Sequence, residues 1–172
     1  MAVYFISDTH FGHKNIHNRF REGFSSLEDH DTTICENILK TCGKRDTLYI
    51  LGDVVMDKSS LHYLKSICDR VEYVRIILGN HDFELSKQNR PNIHDLISCG
   101  VSSFHGACRY KDSWLTHIPI HESEFRKRKF NIHGHNHNTM DVINNPRYIN
   151  VACEFINYTP VEYTKLISNK GN

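Results

Sequence analysis

Short apolar runs alternate with helical patterns over the first eighty residues, and a polar residue follows each run. The runs cover residues 3–6, 47–51 and 73–78, while helical spacing of apolar residues covers 27–42 and 59–69. This alternation predicts a mostly parallel sheet with right-handed crossover connections. Ligands of such sheets bind outside the carboxyl ends of the strands, so the residues after each run are candidates for a functional site.

The second half of the chain has shorter apolar runs, at residues 107–110, 114–116, 131–133 and 148–151, and a last element near 161–167. Polar turn-forming residues separate the first two runs, which predicts a hairpin, and we expect this whole half to be hairpin-like. Together, the two halves predict two packed sheets flanked by helices.

Composition narrows the classes of protein to which the chain can belong. With no repeat, low-complexity tract or linker, residues 1–172 are expected to form a single domain. The net charge of +1 gives no reason to expect a nucleic acid or a membrane surface as the main partner. No apolar run suits a signal peptide or a membrane span, and the scattered cysteines predict free thiols. These features predict a cytoplasmic protein.

Histidine is unusually frequent, with 13 in the chain, and several stand in short clusters after the predicted strands. Five segments contain these clusters and the nearby acidic and amide residues: Asp8-Thr9-His10, Gly52-Asp53, Gly79-Asn80-His81-Asp82, Thr116-His117 and Gly134-His135-Asn136-His137. Their carboxylates, amide and imidazoles suit Mn²⁺, Fe²⁺ or Zn²⁺ better than Ca²⁺. This set has more donors than one ion with open positions needs, so two ions that share a carboxylate are predicted.

The five segments, in this order and over nearly the whole chain, resemble those of the calcineurin-like metallophosphoesterase superfamily. The opening Ser7-Asp8-Thr9-His10-Phe11-Gly12-His13 and the later Asn157-Tyr158-Thr159-Pro160-Val161 are similar to its small single-domain bacterial and phage members. The resemblance implies an α/β fold of the metallophosphoesterase type. This is a four-layer α-β-β-α sandwich with two mixed sheets flanked by helices.

The resemblance also implies a role for each residue of the five segments. One ion would be held by Asp8, His10 and His137, and the other by Asn80, His117 and His135, with Asp53 bridging the two. His81 would contact the scissile phosphate and protonate the leaving oxygen, and Asp82 would orient His81.

A hydrolase that cleaves phosphodiester or phosphomonoester bonds through a metal-bridging hydroxide is the implied function. The expected cofactors are two divalent ions, Mn²⁺ foremost, with Fe, Zn, Ni and Mg as alternatives. We expect small nucleotide-like substrates and no nucleic-acid partner, because a short chain has little material for a peptide groove or a duplex clamp. A protein phosphatase, a nuclease and a non-catalytic interaction module on the same fold remain the alternatives.

The remaining histidines and one basic run have weaker signals. His13 suits a substrate contact and a surface position equally, a surface position is favoured for His17, and a packing role is favoured for His133. Solvated or internally bonded positions are expected for His30, His62, His94 and His105. The basic run Arg126-Lys127-Arg128-Lys129 is predicted to form a solvated face. The alternative is that one or two of its side chains contact the substrate phosphate.

Overall fold

The alternating half of the chain builds a sheet with the strand order β4-β3-β2-β1-β9 in the computed structural model, which describes residues 1–83, 89–137 and 144–168. Its strands are β1 (Val3–Ile6), β2 (Thr47–Ile50), β3 (Tyr73–Ile77), β4 (Ser103–His105) and β9 (Val161–Glu162). Strands β1 to β4 are parallel, and β9 pairs antiparallel with β1. The predicted mostly parallel sheet is confirmed, and the carboxyl ends of its parallel strands share one edge.

Two helices cover one face of this first sheet, α2 (Leu27–Thr41) and α3 (Leu61–Arg70). Both lie within two residues of the predicted bounds. Helix α2 begins after Ser26, whose hydroxyl accepts a hydrogen bond from the backbone N–H of Asp29. The buried side chains of the two helices pack on the apolar residues of β1, β2 and β3 and form the first core.

Three shorter helices complete the described part, namely α1 (Ile16–Arg19), α4 (Ile93–Ser98) and α5 (Tyr163–Ser168). Helices α1 and α4 and strand β4 were not predicted. The helices have one or two turns and the strand has three residues, and segments this short do not show periodicity. The last predicted element divides into strand β9 and helix α5. No helix in the described ranges is long and apolar enough to cross a bilayer.

The second sheet has the order β5-β6-β7-β8, with β5 (Ala107–Tyr110), β6 (Ser113–Thr116), β7 (Phe130–His133) and β8 (Tyr148–Asn150). Only β5 and β6 form the predicted hairpin, whereas β6, β7 and β8 are parallel. The expectation of a hairpin-like second half is therefore wrong beyond the first pair. Strands β6, β7 and β8 are joined by connections of a dozen residues or more, the length that parallel pairing requires.

The second core lies between the two sheets. Phe5, Tyr49 and Ile77 from the first sheet meet Leu115 and Ile132 from the second, with α5 packed at the same core. Two mixed sheets flanked by helices are thus confirmed as the fold. The six cysteines are free, as predicted. The prediction of a single domain over the whole chain extends to residues outside the described ranges and stays a prediction.

Candidate metal centre

The carboxyl edges of the two sheets meet, and this junction holds all of the predicted metal ligands. Ser7, which follows β1, donates its backbone N–H to the carbonyl of Val151 at the end of β8, at 2.8 Å. The loops after the strands place the predicted ligands as follows: Asp8 and His10 after β1, Asp53 after β2, Asn80 after β3, His117 after β6, and His135 and His137 after β7.

A first group of donors consists of Asp8, His10 and His137. Their donor atoms lie within 4.8 Å of one another. Asp8 Oδ1 is 3.6 Å from His10 Nε2 and 3.7 Å from His137 Nε2. Asp8 Oδ1 and both ring nitrogens of His10 are buried without a hydrogen-bond partner in the described residues. Because buried polar atoms are normally satisfied, these atoms fit a site for a cation.

A second group consists of Asn80, His117 and His135. Asn80 Oδ1 is 3.0 Å from His117 Nε2 and 3.0 Å from His135 Nδ1. Asp53 connects this group to the first, because its Oδ2 is 3.4 Å from His117 Nε2 and 3.8 Å from His10 Nε2. The carboxylate of Asp53 therefore lies between the two groups.

The electrostatics of the centre favour positive charge. Burial lowers the pKa of His117, but its hydrogen bond with Asp53 and the charge of Asp8 outweigh burial and raise that pKa to about 9. Burial raises the pKa of Asp8, but the nearby imidazole of His10 and the charge of His117 together hold it well below its usual range. Carboxylates that stay ionised and stabilise an imidazolium would stabilise a metal ion in the same place.

Glycines explain how these loops come so close together. A Cβ at Gly52, where φ is +92°, would stand 2.7 Å from Cγ of His117, and one at Gly79 would stand 2.7 Å from the backbone N of Asp53. A Cβ at Gly134 would stand 2.6 Å from the Cβ of Ser7. All three distances are shorter than van der Waals contact, so each of these motifs needs its glycine.

Four of the predicted ligands have left-handed backbone conformations, which non-glycine residues rarely adopt: Asp8, His10, Asp53 and His135. The centre is thus a place of local backbone strain, of the kind that clusters at functional sites.

His81 stands at the rim of the centre, in the 3₁₀ turn His81–Phe83. Its backbone N–H donates to Asp53 Oδ1 at 2.9 Å, and its Nε2 is 4.0 Å from Asp53 Oδ2. The side chain is 33% exposed, whereas those of His10 and His117 are 3% exposed. His81 is therefore accessible to a substrate from the solvent side.

The carboxylate of Asp82 is bonded to the backbone of two ligand loops. Oδ2 accepts the N–H groups of Asp53 at 2.9 Å and Gly79 at 2.8 Å, and Oδ1 accepts that of Val54 at 3.0 Å. These bonds fix the loops after β2 and β3 against each other. The orienting of His81 by Asp82 stays a prediction, and these contacts favour an indirect route through the backbone.

Two residues of the centre were not predicted from the sequence. Glu154 Oε1 accepts a hydrogen bond from His137 Nδ1 at 2.7 Å, and the ring of Phe20 stacks on His137 with the centroids 5.6 Å apart. An acidic residue shortly after the predicted strand at 148–151 was a signal that could have identified Glu154. Phe20 has no comparable signal in the sequence.

The remaining histidines differ in their surroundings. The ring of His13 lies 5.4 Å from that of His10, and burial lowers the pKa of His13 to about 4, so it is neutral at pH 7. His133 is buried against Tyr148, consistent with the predicted packing role. His30 is fully buried and bonded on both ring nitrogens, which agrees with the predicted internal bonding.

The basic run lies at the opposite edge of the second sheet from the metal ligands. The run immediately precedes β7, and the loop with His135 follows the other end of that strand. A strand of four residues is about 13 Å long, which separates the run from the ligand loop. Arg128 Nη1 donates to the carbonyl of Lys111 at 2.6 Å, and Lys129 Nζ is 3.7 Å from Asp112. The run therefore packs beside the β5–β6 turn.

Replacement of Arg126, Lys127, Arg128 and Lys129 together by alanine should leave kcat and KM unchanged, because the run is remote from the candidate centre. Steady-state kinetics on a phosphoester tests this. The comparison variant is Lys14→Ala, which removes a cationic side chain from the cavity that His13 also lines and is expected to raise KM. A higher KM for the quadruple variant, with kcat preserved, would contradict the prediction.

Comparison with known proteins identifies relatives over most of the chain. The model of the calcineurin-like phosphoesterase family matches residues 1–164. An uncharacterised protein of Methanocaldococcus jannaschii is 31% identical over 171 residues, which cover 96% of this chain and 89% of that protein. The Gene 66 protein of Mycobacterium phage L5 is 32% identical over 165 residues, which cover 80% of this chain and 78% of that protein.

Among solved structures, a protein of unknown function from Aquifex aeolicus, AQ665, has the same fold. Its TM-score is 0.71 at 24% identity, and the match covers 98% of both chains. The family match, which spans most of the chain, confirms the resemblance stated from the five segments. This chain belongs to the calcineurin-like phosphoesterase family.

Proposed function

We propose that the protein is a dinuclear metal-dependent hydrolase of small, nucleotide-like phosphoesters. Membership of the family supports metal-dependent phosphoester hydrolysis as the general activity. The observation that carries the dinuclear assignment is the position of Asp53 Oδ2, 3.8 Å from His10 Nε2 in one donor group and 3.4 Å from His117 Nε2 in the other. A single carboxylate between two groups of donors suits a bridge between two ions.

The donor set fits such ions. Two carboxylates, an amide oxygen and imidazoles suit first-row divalent metals, and Mn²⁺ accepts this mixture of oxygen and nitrogen. Two ions held here would act as Lewis acids on the phosphoester and lower the pKa of a coordinated water. Asp8, His10 and His137 would hold one ion, Asn80, His117 and His135 the other, and Asp53 both.

His81 would protonate the leaving oxygen. Its accessible imidazole stands beside the centre, and its backbone N–H is bonded to Asp53, the proposed bridge. This hydrogen bond would hold His81 at a fixed distance from the ions that Asp53 would bridge. A general acid must reach the leaving oxygen directly, so a rim position suits the role better than a fully buried one.

A cavity beside the centre favours the proposal that the substrate is small. It has a volume of about 360 Å³ and is lined by His13, Lys14, Asn15 and Arg90, among others. His13 joins it to the centre through its ring contact with His10. The volume lies at the lower end of the range for small-molecule pockets, and the two cationic side chains suit an additional anionic group of the substrate.

Removal and replacement of the metal tests the proposed function. Protein stripped with a chelator should lose hydrolysis of cyclic and linear nucleotides and of p-nitrophenyl phosphate esters, and Mn²⁺ should restore it. Elemental analysis of the restored protein should give about two ions per chain. A content of one ion at saturating Mn²⁺ would contradict the dinuclear assignment. Two bound ions without hydrolysis of any ester would indicate a non-catalytic module instead.

A further inference from the structure

Arg21 is a buried arginine beside the candidate centre, and the assigned metal ligands leave its purpose unexplained. It is 1% exposed and lies just after helix α1. A guanidinium group carries its charge at every physiological pH, so burying it is costly unless its donors and its charge are satisfied. The partners of Arg21 therefore indicate what it does.

The first set of partners leads to two ligands of the first donor group. Nε of Arg21 donates to Glu154 Oε1 at 2.8 Å, and the same oxygen accepts the Nδ1–H of His137 at 2.7 Å. Nη2 of Arg21 donates to the backbone carbonyl of Asp8. Arg21 thus contacts Asp8 directly and His137 through Glu154.

These contacts fix the chemical state of His137. One oxygen of Glu154 accepts hydrogen bonds from both Arg21 Nε and His137 Nδ1. Because His137 Nδ1 donates to Glu154, Nε2 is the ring nitrogen left available to a metal, and it lies 3.7 Å from Asp8 Oδ1. Carboxylates bonded in this way to metal-binding histidines fix the tautomer and the ring orientation.

The second set of partners anchors Arg21 to helix α2. Nη1 of Arg21 is 2.7 Å from His30 Nε2, and His30 Nδ1 is 2.7 Å from Asp31 Oδ1. Because arginine has only donors, His30 Nε2 accepts and Nδ1 donates to Asp31. The other oxygen of Asp31 accepts the N–H of Gly12, in the loop that carries Asp8 and His10, at 2.8 Å.

We propose that Arg21 is a positioning residue for the ion that Asp8, His10 and His137 would hold, acting through Glu154 and through the backbone of Asp8. The inference rests on the proposed function, since it needs a metal at that group. The planar fork of arginine suits the role, because one side chain must donate in several directions at once. The three donors of a lysine all lie on one nitrogen, whereas three separate nitrogens of Arg21 bond Glu154, His30 and the Asp8 carbonyl.

Calorimetric titration of the metal-stripped protein with Mn²⁺ tests this proposal. Arg21→Lys keeps the charge beside Glu154 and removes the fork. It should weaken one of the two binding events by about 10- to 100-fold and leave the other unchanged. The matched control is Arg75→Lys, which removes the hydrogen bond from Arg75 Nη1 to the Tyr49 hydroxyl on the first sheet and should leave both events unchanged.

Two readouts separate positioning from a purely structural role. The rise in unfolding temperature caused by Mn²⁺ should shrink in Arg21→Lys, whereas general destabilisation lowers the metal-free and metal-bound temperatures equally. At the Mn²⁺ concentration that just fills both wild-type sites, the electron paramagnetic resonance spectrum should change from that of a coupled pair in the wild type to that of an isolated ion in the variant. His137→Gln should mimic this spectrum, and adding Arg21→Lys to it should have little further effect.

The outcomes are distinct. Two Mn²⁺ events of wild-type affinity in Arg21→Lys would overturn the proposal. If that variant does not fold, Arg21→Met/Glu154→Gln, which removes both members of the Arg21–Glu154 ion pair, is compared with Glu154→Gln alone. A weaker event in the double variant than in the single variant supports the proposal, and equal affinities overturn it. Wild-type protein that binds no Mn²⁺, or a single ion, would refute the proposed function rather than the role of Arg21 alone.

Discussion

Asp53→Gly should empty both metal positions and reduce hydrolysis to background. The carboxylate of Asp53 lies between the two donor groups, so its removal takes a ligand from each ion and leaves two cations without their shared counter-charge. Glycine is the substitution of choice because Asp53 has a φ of +54°, which glycine adopts without strain. Metal content should fall from about two ions per chain to well below one at the Mn²⁺ concentration that saturates the wild type.

Elemental analysis and hydrolysis of a p-nitrophenyl ester measure the two effects. Asp69→Gly is the matched control, since Asp69 forms an exposed ion pair with Lys65 on α3 and has no part in the centre. The control should keep both ions and full activity. Loss of only one ion from Asp53→Gly would mean that Asp53 belongs to a single metal site and does not bridge.

His81→Gln should retain both ions while kcat falls by about two to four orders of magnitude, the usual contribution of a general acid. The imidazole stands at the rim and would donate its proton to the leaving oxygen, so the loss should be largest for alkyl-type esters. Esters of p-nitrophenol leave readily without a proton and should lose much less. Kinetics on both kinds of ester, together with metal analysis, measure the effect.

His135→Gln is the comparison for this experiment. His135 Nδ1 lies 3.0 Å from Asn80 Oδ1 in the second donor group, so this variant should lose metal and react slowly with both kinds of ester. If His81→Gln also lost metal, His81 would be a ligand. An equal loss on both leaving groups would instead assign it to electrostatic stabilisation of the phosphate.

The first sheet was predictable because its signals are local. Strands β1, β2 and β3 are buried apolar runs separated by amphipathic helices, and that alternation allows few topologies. The predicted ligands follow from the same rule, since parallel strands bring Asp8, Asp53 and Asn80 to one edge. The position of His117 and His135 depended on the resemblance to a known family, because periodicity does not reveal how a second sheet docks.

What the sequence did not reveal depends on tertiary contacts. The direction of β7 and β8 is determined by the path of long connections, which carry no periodic signal. Glu154 is 133 residues from Arg21 in the sequence, and Arg21, His30 and Glu154 each have an ordinary surface or packing interpretation by themselves. Their joint role is visible only once helix α2 and the turn after β8 have brought them together.

The junction between the sheets has a consequence for how such a protein can be rearranged by recombination. Chain order divides the proposed metal ligands: Asp8, His10, Asp53 and Asn80 precede Gly106, whereas His117, His135 and His137 follow it. Neither segment contains the complete ligand set that we propose for either ion, because the first donor group includes His137 from the later segment and the second includes Asn80 from the earlier one. A chimaera that joins the N-terminal segment of one relative to the C-terminal segment of another must therefore bring the carboxyl edges of its two sheets into the same relative position, however well each segment folds. Recombination would therefore preserve both proposed metal positions or neither of them, even though each sheet comes largely from its own segment of the chain.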